Sequence, residues 1–251
     1  MKVLAIYSIK GGVGKTAAAT ILAWLAARDG TPTLIWDLDP QGAATFNYRI
    51  RPRVKGGAKS LVREQRPLEK AIKGTDYPAL DLLPADFRYR KLDLQLDRVK
   101  KSTQRVARML RQLEDDYEWV ILDCAPGISL TSEAILAAAD AVLVPVVPTT
   151  LSTRTLDQLT AFVEDEAGLD VEILPFLSMV DRRKKLHREL QDELLASDPR
   201  LLRTPIPNAS AVERMGLLRE PLLATTPRHH AAKAYEALWE EIRERMHRSR
   251  R

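Results

Sequence analysis

Seven consecutive residues, Lys10-Gly11-Gly12-Val13-Gly14-Lys15-Thr16, put a pliable backbone, two ammonium groups and a hydroxyl into one short run. Glycines let the chain curl so that successive N–H groups converge on one point. A helix starting at Lys15 adds the positive end of its dipole there. Such a cradle suits phosphate oxygens, with Lys15 as a compact charge for β- and γ-phosphates and the Thr16 hydroxyl placed for Mg²⁺. Gly11, Gly12, Val13, Gly14, Lys15, Thr16 and Ala17 are therefore assigned to a nucleotide. Carboxylates stand further along, in Asp37-Leu38-Asp39-Pro40-Gln41-Gly42 and at the end of Trp119-Val120-Ile121-Leu122-Asp123. Four apolar residues followed by an aspartate fit a strand whose last side chain holds Mg²⁺ through water. Each segment has a plainer reading: a glycine turn without a ligand, carboxylates capping a helix, an ordinary strand end. Their occurrence together favours the nucleotide.

Chemistry of this kind needs strands that stop at one edge. Apolar runs at Val3–Tyr7, Thr33–Trp36, Leu80–Leu83, Trp119–Leu122, Ala141–Val147 and Ile173–Met179 read as strands. Several are continuous rather than alternating, as in strands covered on both faces. Between them, helices are expected over Thr16–Arg28 (ended by Gly30), Leu94–Glu114, Leu130–Ala138, Thr155–Glu166 and His230–Met246. The alternation gives an α/β fold, a single doubly wound domain with a mostly parallel central sheet flanked by helices. Residues 1–251 are taken as one P-loop nucleotide-binding domain. Asp37 and Asp39 then lie beyond a strand's C-terminal end, where such sheets bind ligands. The stretch Arg49–Lys59 is expected to be a mobile surface loop.

Composition narrows the classes. A hydrophobic fraction of 45% and a charged fraction of 29% are those of a globular protein. No apolar run is long enough to span a bilayer, and Met1 leads straight into the first strand, so a cytoplasmic location is expected. The single cysteine, Cys124, rules out an internal disulfide and a cysteine-only metal site within one chain. His187, His229, His230 and His247 show no metal-ligand spacing. The net charge of +5 permits an acidic polymer or an anionic surface as partner without demanding one.

The strict P-loop pattern wants glycine where Ile9 stands, and instead places a second lysine, Lys10, at the mouth of the loop. This resembles the deviant Walker motif of the ParA/MinD family of P-loop ATPases. Asp37-Leu38-Asp39-Pro40-Gln41-Gly42 resembles that family's switch I in its ParA-type wording. Asp123-Cys124-Ala125-Pro126-Gly127 resembles switch II, with one proline fewer than most relatives. Val144-Pro145-Val146-Val147-Pro148 with Ser152, the stretch Ser178-Met179-Val180-Asp181-Arg182-Arg183 and Ala231-Ala232-Lys233-Ala234-Tyr235 also match. Ala17 departs from the usual threonine. The likeness weakens between Arg49 and Gln112.

The resemblance implies ATP and Mg²⁺ as ligands. Asp39 would orient the attacking water, Asp37 would support the Mg²⁺ shell beside Thr16 and Asp123, and Pro205, Pro207 and Asn208 would lie against the base. Lys10 would reach across an ATP-dependent homodimer to the partner's nucleotide. The guanine-reading Asn-Lys-x-Asp motif is absent. A ParA-type member would bind DNA without sequence preference as the ATP dimer, through basic residues such as Arg182, Arg183, Lys184, Lys185, Arg214, Arg219 and Arg228. It would be nucleoid-associated when ATP-bound and stimulated by a ParB-like adaptor. No N-terminal helix-turn-helix extension is expected before the loop. Two alternatives stay open. A MinD-like membrane ATPase would use Leu238, Trp239, Ile242 and Met246 as an amphipathic stripe, though membrane binding is not the expectation. A metabolic P-loop enzyme would need a substrate pocket that nothing in the sequence marks. The terminal Arg248-Ser249-Arg250-Arg251 reads as a frayed basic tail.

Overall fold

A computed structural model describes residues 1–63, 67–165, 169 and 171–248. Its strands are β1 (Lys2–Ile6), β2 (Thr33–Asp37), β3 (Lys73–Gly74), β4 (Leu80–Leu83), β5 (Trp119–Asp123), β6 (Ala141–Val146) and β7 (Glu172–Leu177). They form one sheet in the order β3-β4-β2-β5-β1-β6-β7. All neighbours are parallel except the β3–β4 edge pair. β5 is thus central, and the three strands that carry the candidate residues, β2, β5 and β1, lie side by side.

Alternate residues of each strand serve opposite faces. Val3, Ala5 and Tyr7 join one core layer, with Val120, Leu122 and the helices Arg105–Arg111, Leu130–Leu136 and Thr150–Asp165. Leu4 and Ile6 join the other, with helix α1 (Lys15–Arg28) and the final helix His230–Arg248. Burial on both sides explains why these strands read as unbroken apolar runs. α1 is itself apolar nearly all round, because it is pressed between the sheet and the final helix. Its alanines let the three layers approach closely.

The final helix buries Ala231, Ala232, Tyr235, Leu238, Trp239, Ile242 and Met246. Trp239 meets Trp119 edge-on, with ring centroids 4.8 Å apart. The stripe that a membrane anchor would require is therefore core. No described helix is long and apolar enough to cross a membrane.

Several local expectations are corrected. The helix expected over Leu94–Glu114 is two short helices, Leu92–Leu96 and Arg105–Arg111, parted where Lys101 turns left-handed at φ 55°. The Arg49–Lys59 stretch is fastened rather than loose. The Val54 amide donates to the buried Asp86 carboxylate at 2.9 Å, the Arg88 guanidinium grips both the Val54 carbonyl and Asp86, and Gly57–Val62 is helical. The helix expected from Thr155 begins at Thr150 and runs to Asp165. Its expected last residue, Glu166, and the tail residues 249–251 lie outside the described residues. Helix Lys185–Ser197, with Leu186, Leu190 and Leu194, is not among the expected helices, and the two-residue strand β3 is too short to read from sequence.

Candidate nucleotide site

The phosphate cradle follows β1 directly. Gly12 and Gly14 take φ of 72° and 94°, left-handed values that disfavour a Cβ. Gly14 is also the residue before α1, and its carbonyl accepts the first helical amide, from Ala18, at 3.0 Å. A Cβ on Gly14 would stand 3.0 Å from Ser178 Oγ, which itself donates to the Val13 carbonyl at 2.9 Å. The end of β7 thereby latches the loop from behind, with Val13 buried beneath it. Among the described residues, the amides of Gly11, Gly12, Val13 and Gly14 find no protein acceptor. Together with the start of α1 they offer an unfilled set of donors.

Charged groups converge on the same edge. Lys15 is buried, and its Nζ donates to the Lys10 carbonyl at 3.2 Å. Burial lowers the Lys15 ammonium from its ordinary value, opposed by the nearby Asp123 carboxylate. Asp37 and Asp123 are register partners at the ends of β2 and β5, both without solvent exposure. Asp37 Oδ2 accepts from the Thr45 amide at 2.8 Å and the Thr45 hydroxyl at 2.7 Å, and Oδ1 accepts from the Asp39 amide at 3.2 Å. Burial nevertheless pushes the Asp37 carboxyl up to about 6. Burial, then the neighbouring Asp37, holds Asp123 well above the usual carboxylate range.

Asp123 Oδ1 accepts from the Thr16 hydroxyl at 3.3 Å, while Oδ2 is buried with no partner among the described residues. Two adjacent buried carboxylates, one with an orphan oxygen, are a poor arrangement without a cation. Thr16, Asp37 and Asp123 thus fit Mg²⁺. Among the described residues no group of three or more His, Cys, Asp or Glu could hold a metal unaided.

The cleft above the cradle has a volume of about 370 Å³. Gly11, Gly12, Gly14, Lys15, Thr16, Ala17 and Asp39 line one end, and Met179, Pro207, Asn208, Ala209, Val212 and Glu213 the other. Pro207 and Asn208 are therefore placed at the cleft. Pro205 is not; it lines the neighbouring cleft with Arg182, Arg183 and His230. Lys10 is half-buried and does not line this cleft; its Nζ lies 3.4 Å from Ser152 Oγ. Sequence reading missed Thr45, Met179, Val212 and Glu213 as contributors. Thr45 carries no motif; the other three lie in or beside stretches already singled out.

The basic residues are scattered by comparison. Arg182, Arg183, Lys184, Lys185, Arg214 and Arg228 are exposed. Arg183 is paired with Asp181 at 2.9 Å and Lys185 with Glu189 at 3.4 Å. Arg219 is only half-exposed and is engaged elsewhere, donating from Nε to the Phe46 carbonyl at 3.0 Å. His187 is buried and accepts the Asp181 amide at Nδ1, 3.1 Å away, fixing the start of the basic loop.

Comparison with known proteins agrees with this geometry. Residues 1–168 match the AAA_31 family, described as an AAA domain. The sporulation initiation inhibitor protein Soj of Bacillus subtilis is 28% identical over 247 residues, covering 96% of this chain and 98% of its own. A putative plasmid partition protein from Borrelia burgdorferi, solved bound to AMPPNP, superposes with a TM-score of 0.85 at 23% identity, covering 97% of this chain and 99% of that one. Cobyrinic acid a,c-diamide synthase from Mycobacterium smegmatis, solved with an ATP analogue and magnesium, gives 0.80 at 25% identity, covering 96% and 93%. The seven-stranded sheet, the lysine-flanked phosphate cradle and the matched family model together establish that this chain belongs to the ParA/MinD family of P-loop ATPases.

Proposed function

We propose that the chain is a ParA-type partition ATPase. It binds Mg-ATP in the cleft, dimerises in doing so, holds DNA without sequence preference as the dimer, and is reset by slow, partner-stimulated hydrolysis. The observation that carries this reading is the meeting, at the ends of β1, β2 and β5, of an unfilled amide cradle with Lys15, Thr16, Asp37, Asp39 and Asp123.

Bound Mg-ATP would supply the phosphoanhydride to be split and a divalent charge to neutralise its oxygens. The chain's part is positioning. The Gly11–Gly14 amides would hold phosphate oxygens, and Lys15, now on the Lys10 carbonyl, would supply its charge to them. Thr16 and Asp123 present oxygens toward the cation, and Thr45 fixes the Asp37 carboxylate beside them. Asp39 lines the cleft with one carboxylate oxygen tied to the Gln41 amide at 2.9 Å, which leaves the other to orient water. Met179, Pro207 and Asn208 enclose the base. Lys10 would leave Ser152 to serve a second copy's nucleotide, where added positive charge stabilises charge developing in transfer.

For DNA, the reading rests on Arg182, Arg183, Lys184, Lys185, Arg214 and Arg228, all exposed; Arg219 is set aside because Phe46 holds it. Two-fold symmetry doubles any such patch, and phosphate contacts release counterions, so affinity falls steeply with salt. The MinD-like alternative loses its anchor to the core, since Leu238, Trp239, Ile242 and Met246 are buried.

The test is binding to random-sequence duplex DNA over a salt series, without nucleotide, with ADP and with ATP. The reading expects binding with ATP alone, weakened by salt and by Arg182→Ala/Arg183→Ala. Binding that ignores nucleotide, or none at all, would remove the DNA role, and the same samples would then go to anionic liposomes and to amide-forming substrates.

A further inference from the structure

The two ends of the cleft are walled by different segments. At the metal end, the short helix Ala43–Asn47 is fixed to Asp37 through Thr45. At the base end, Ala209, Val212 and Glu213 line the cleft. They begin an arm that runs through the helical turns Ser210–Glu213 and Met215–Leu218 to Arg219. Outside the cleft this arm returns to the first segment. Arg219 Nε donates to the Phe46 carbonyl at 3.0 Å, and its guanidinium lies 4.4 Å from the centre of the Phe46 ring. One residue on, Glu220 accepts from Arg49, which also pairs with Asp76 at 3.3 Å. A closed ring results, from Asp37 through Thr45, Phe46 and Arg219 along the arm and back to the cleft.

The backbone marks the same contact. Arg49 and Arg219 are both left-handed, with φ of 59° and 55°. Each follows a short helix, in a conformation that glycine adopts without strain. Met179, which lines the cleft, is left-handed too, at 56°. Strained arginines on both sides of one contact indicate that their side chains are what the position requires.

We propose that Arg219, backed by the Arg49–Glu220 pair, is a positioning residue that ties the base-side arm to the metal-side helix, so that nucleotide ordering one end orders the other. The proposal rests on the nucleotide reading of the cleft. Arg219 itself does not line the cleft and touches no reacting group. Its arginine character matters: a planar face stacks on Phe46 while Nε bonds the carbonyl, and lysine can do only part of this.

The test is amide hydrogen exchange on the full chain, with and without Mg-ADP, together with steady-state ATP hydrolysis. In the wild type, residues 43–50 and 209–220 gain protection together. In Arg219→Ala, the arm keeps its ligand-induced protection while residues 43–50 lose most of theirs. The same variant loses roughly three- to tenfold in kcat, with KM for ATP changed less than about twofold, the pattern of a lost orienting contact. Arg219→Lys is intermediate. Phe46→Leu, at an exposed position that the fold tolerates, gives the same uncoupling by removing the stacking face. Arg51→Ala, an exposed arginine with no ion pair among the described residues, leaves both readouts unchanged. Joint protection and wild-type kcat in both Arg219→Ala and Phe46→Leu would overturn the proposal. A wild type in which Mg-ADP protects neither segment would overturn the nucleotide reading first, and this proposal with it.

Discussion

Replacing Thr45 by valine keeps the side-chain shape and removes one hydroxyl. That hydroxyl is fully buried, donates to Asp37 Oδ2 at 2.7 Å and accepts the Ala85 amide at 2.9 Å. A hydrogen bond to a charged group is worth about 1.5–3 kcal/mol, and a buried donor left unpaired costs about 1–3 kcal/mol. The two losses sum to roughly 2.5–6 kcal/mol. For a chain of this size each kcal/mol moves Tm by about 2–4 °C, so the nucleotide-free variant should melt roughly 5–24 °C lower. A second effect follows at the site. The carboxylate loses a donor that favoured its ionised form, so the Asp37 pKa rises further. Mg²⁺-dependent nucleotide binding should then weaken most at neutral pH and partly recover toward pH 8. Thermal melts and nucleotide titrations at pH 7 and pH 8 measure both effects, with Thr45→Ser as the variant that keeps the hydroxyl. A Thr45→Val protein melting within about 2 °C of the wild type would refute the claim that this hydroxyl holds the switch, on the same scale.

Further expectations concern the loop, the core and pH. Gly14→Ala forces a Cβ into a left-handed position and against Ser178, costing roughly 1–2 kcal/mol of local strain; calorimetry should find nucleotide affinity lost while far-UV circular dichroism stays native. Trp239→Ala opens a cavity against Trp119 and should destabilise by about 3–5 kcal/mol in urea, with no membrane-binding phenotype to accompany it. Asp37, held at about 6 in the fold against 3.8 in the free side chain, takes up its proton in the native state before the unfolded one as pH falls. Its contribution therefore disfavours the nucleotide-free fold above pH 6 and is relieved between about pH 6 and 4. Relative to Asp37→Asn, which cannot titrate, the wild type should gain urea stability as pH drops from 7 to 5. Saturating Mg-ADP should abolish that gain, because the cation favours the ionised carboxylate.

What sequence could reveal here was whatever is local. The Lys10–Thr16 loop is written in adjacent residues, and its geometry depends on glycines that cannot be mistaken. Asp37 and Asp123 were legible because each ends an apolar run that must be a strand, and Asp39 because it follows Asp37 by two residues. The alternation of elements implied a mostly parallel sheet, but not the order of its strands or the antiparallel β3 edge. Relations across the chain were not legible. Arg219 counts as one more basic residue in composition; only the fold brings it to a carbonyl 173 residues away. Thr45 has meaning only once a short helix returns it to Asp37. The final helix is ambiguous as text, since an apolar stripe serves a core and an anchor equally, and Trp119 decides between them. The Arg49–Lys59 stretch looked loose because its fastener, Asp86, lies far along the chain and is itself unremarkable in sequence.

The central claim is that nucleotide bound in this cleft controls assembly through Lys10. Light-scattering mass determination answers it directly, with wild type, Asp39→Ala and Lys10→Ala each in Mg-ADP and in Mg-ATP. The account predicts monomers in ADP, a dimer for the wild type in ATP that decays as ATP is consumed, a lasting ATP dimer for Asp39→Ala, and no ATP dimer for Lys10→Ala. A mass that is the same in both nucleotides for all three proteins, or a Lys10→Ala chain that dimerises like the wild type, would contradict it.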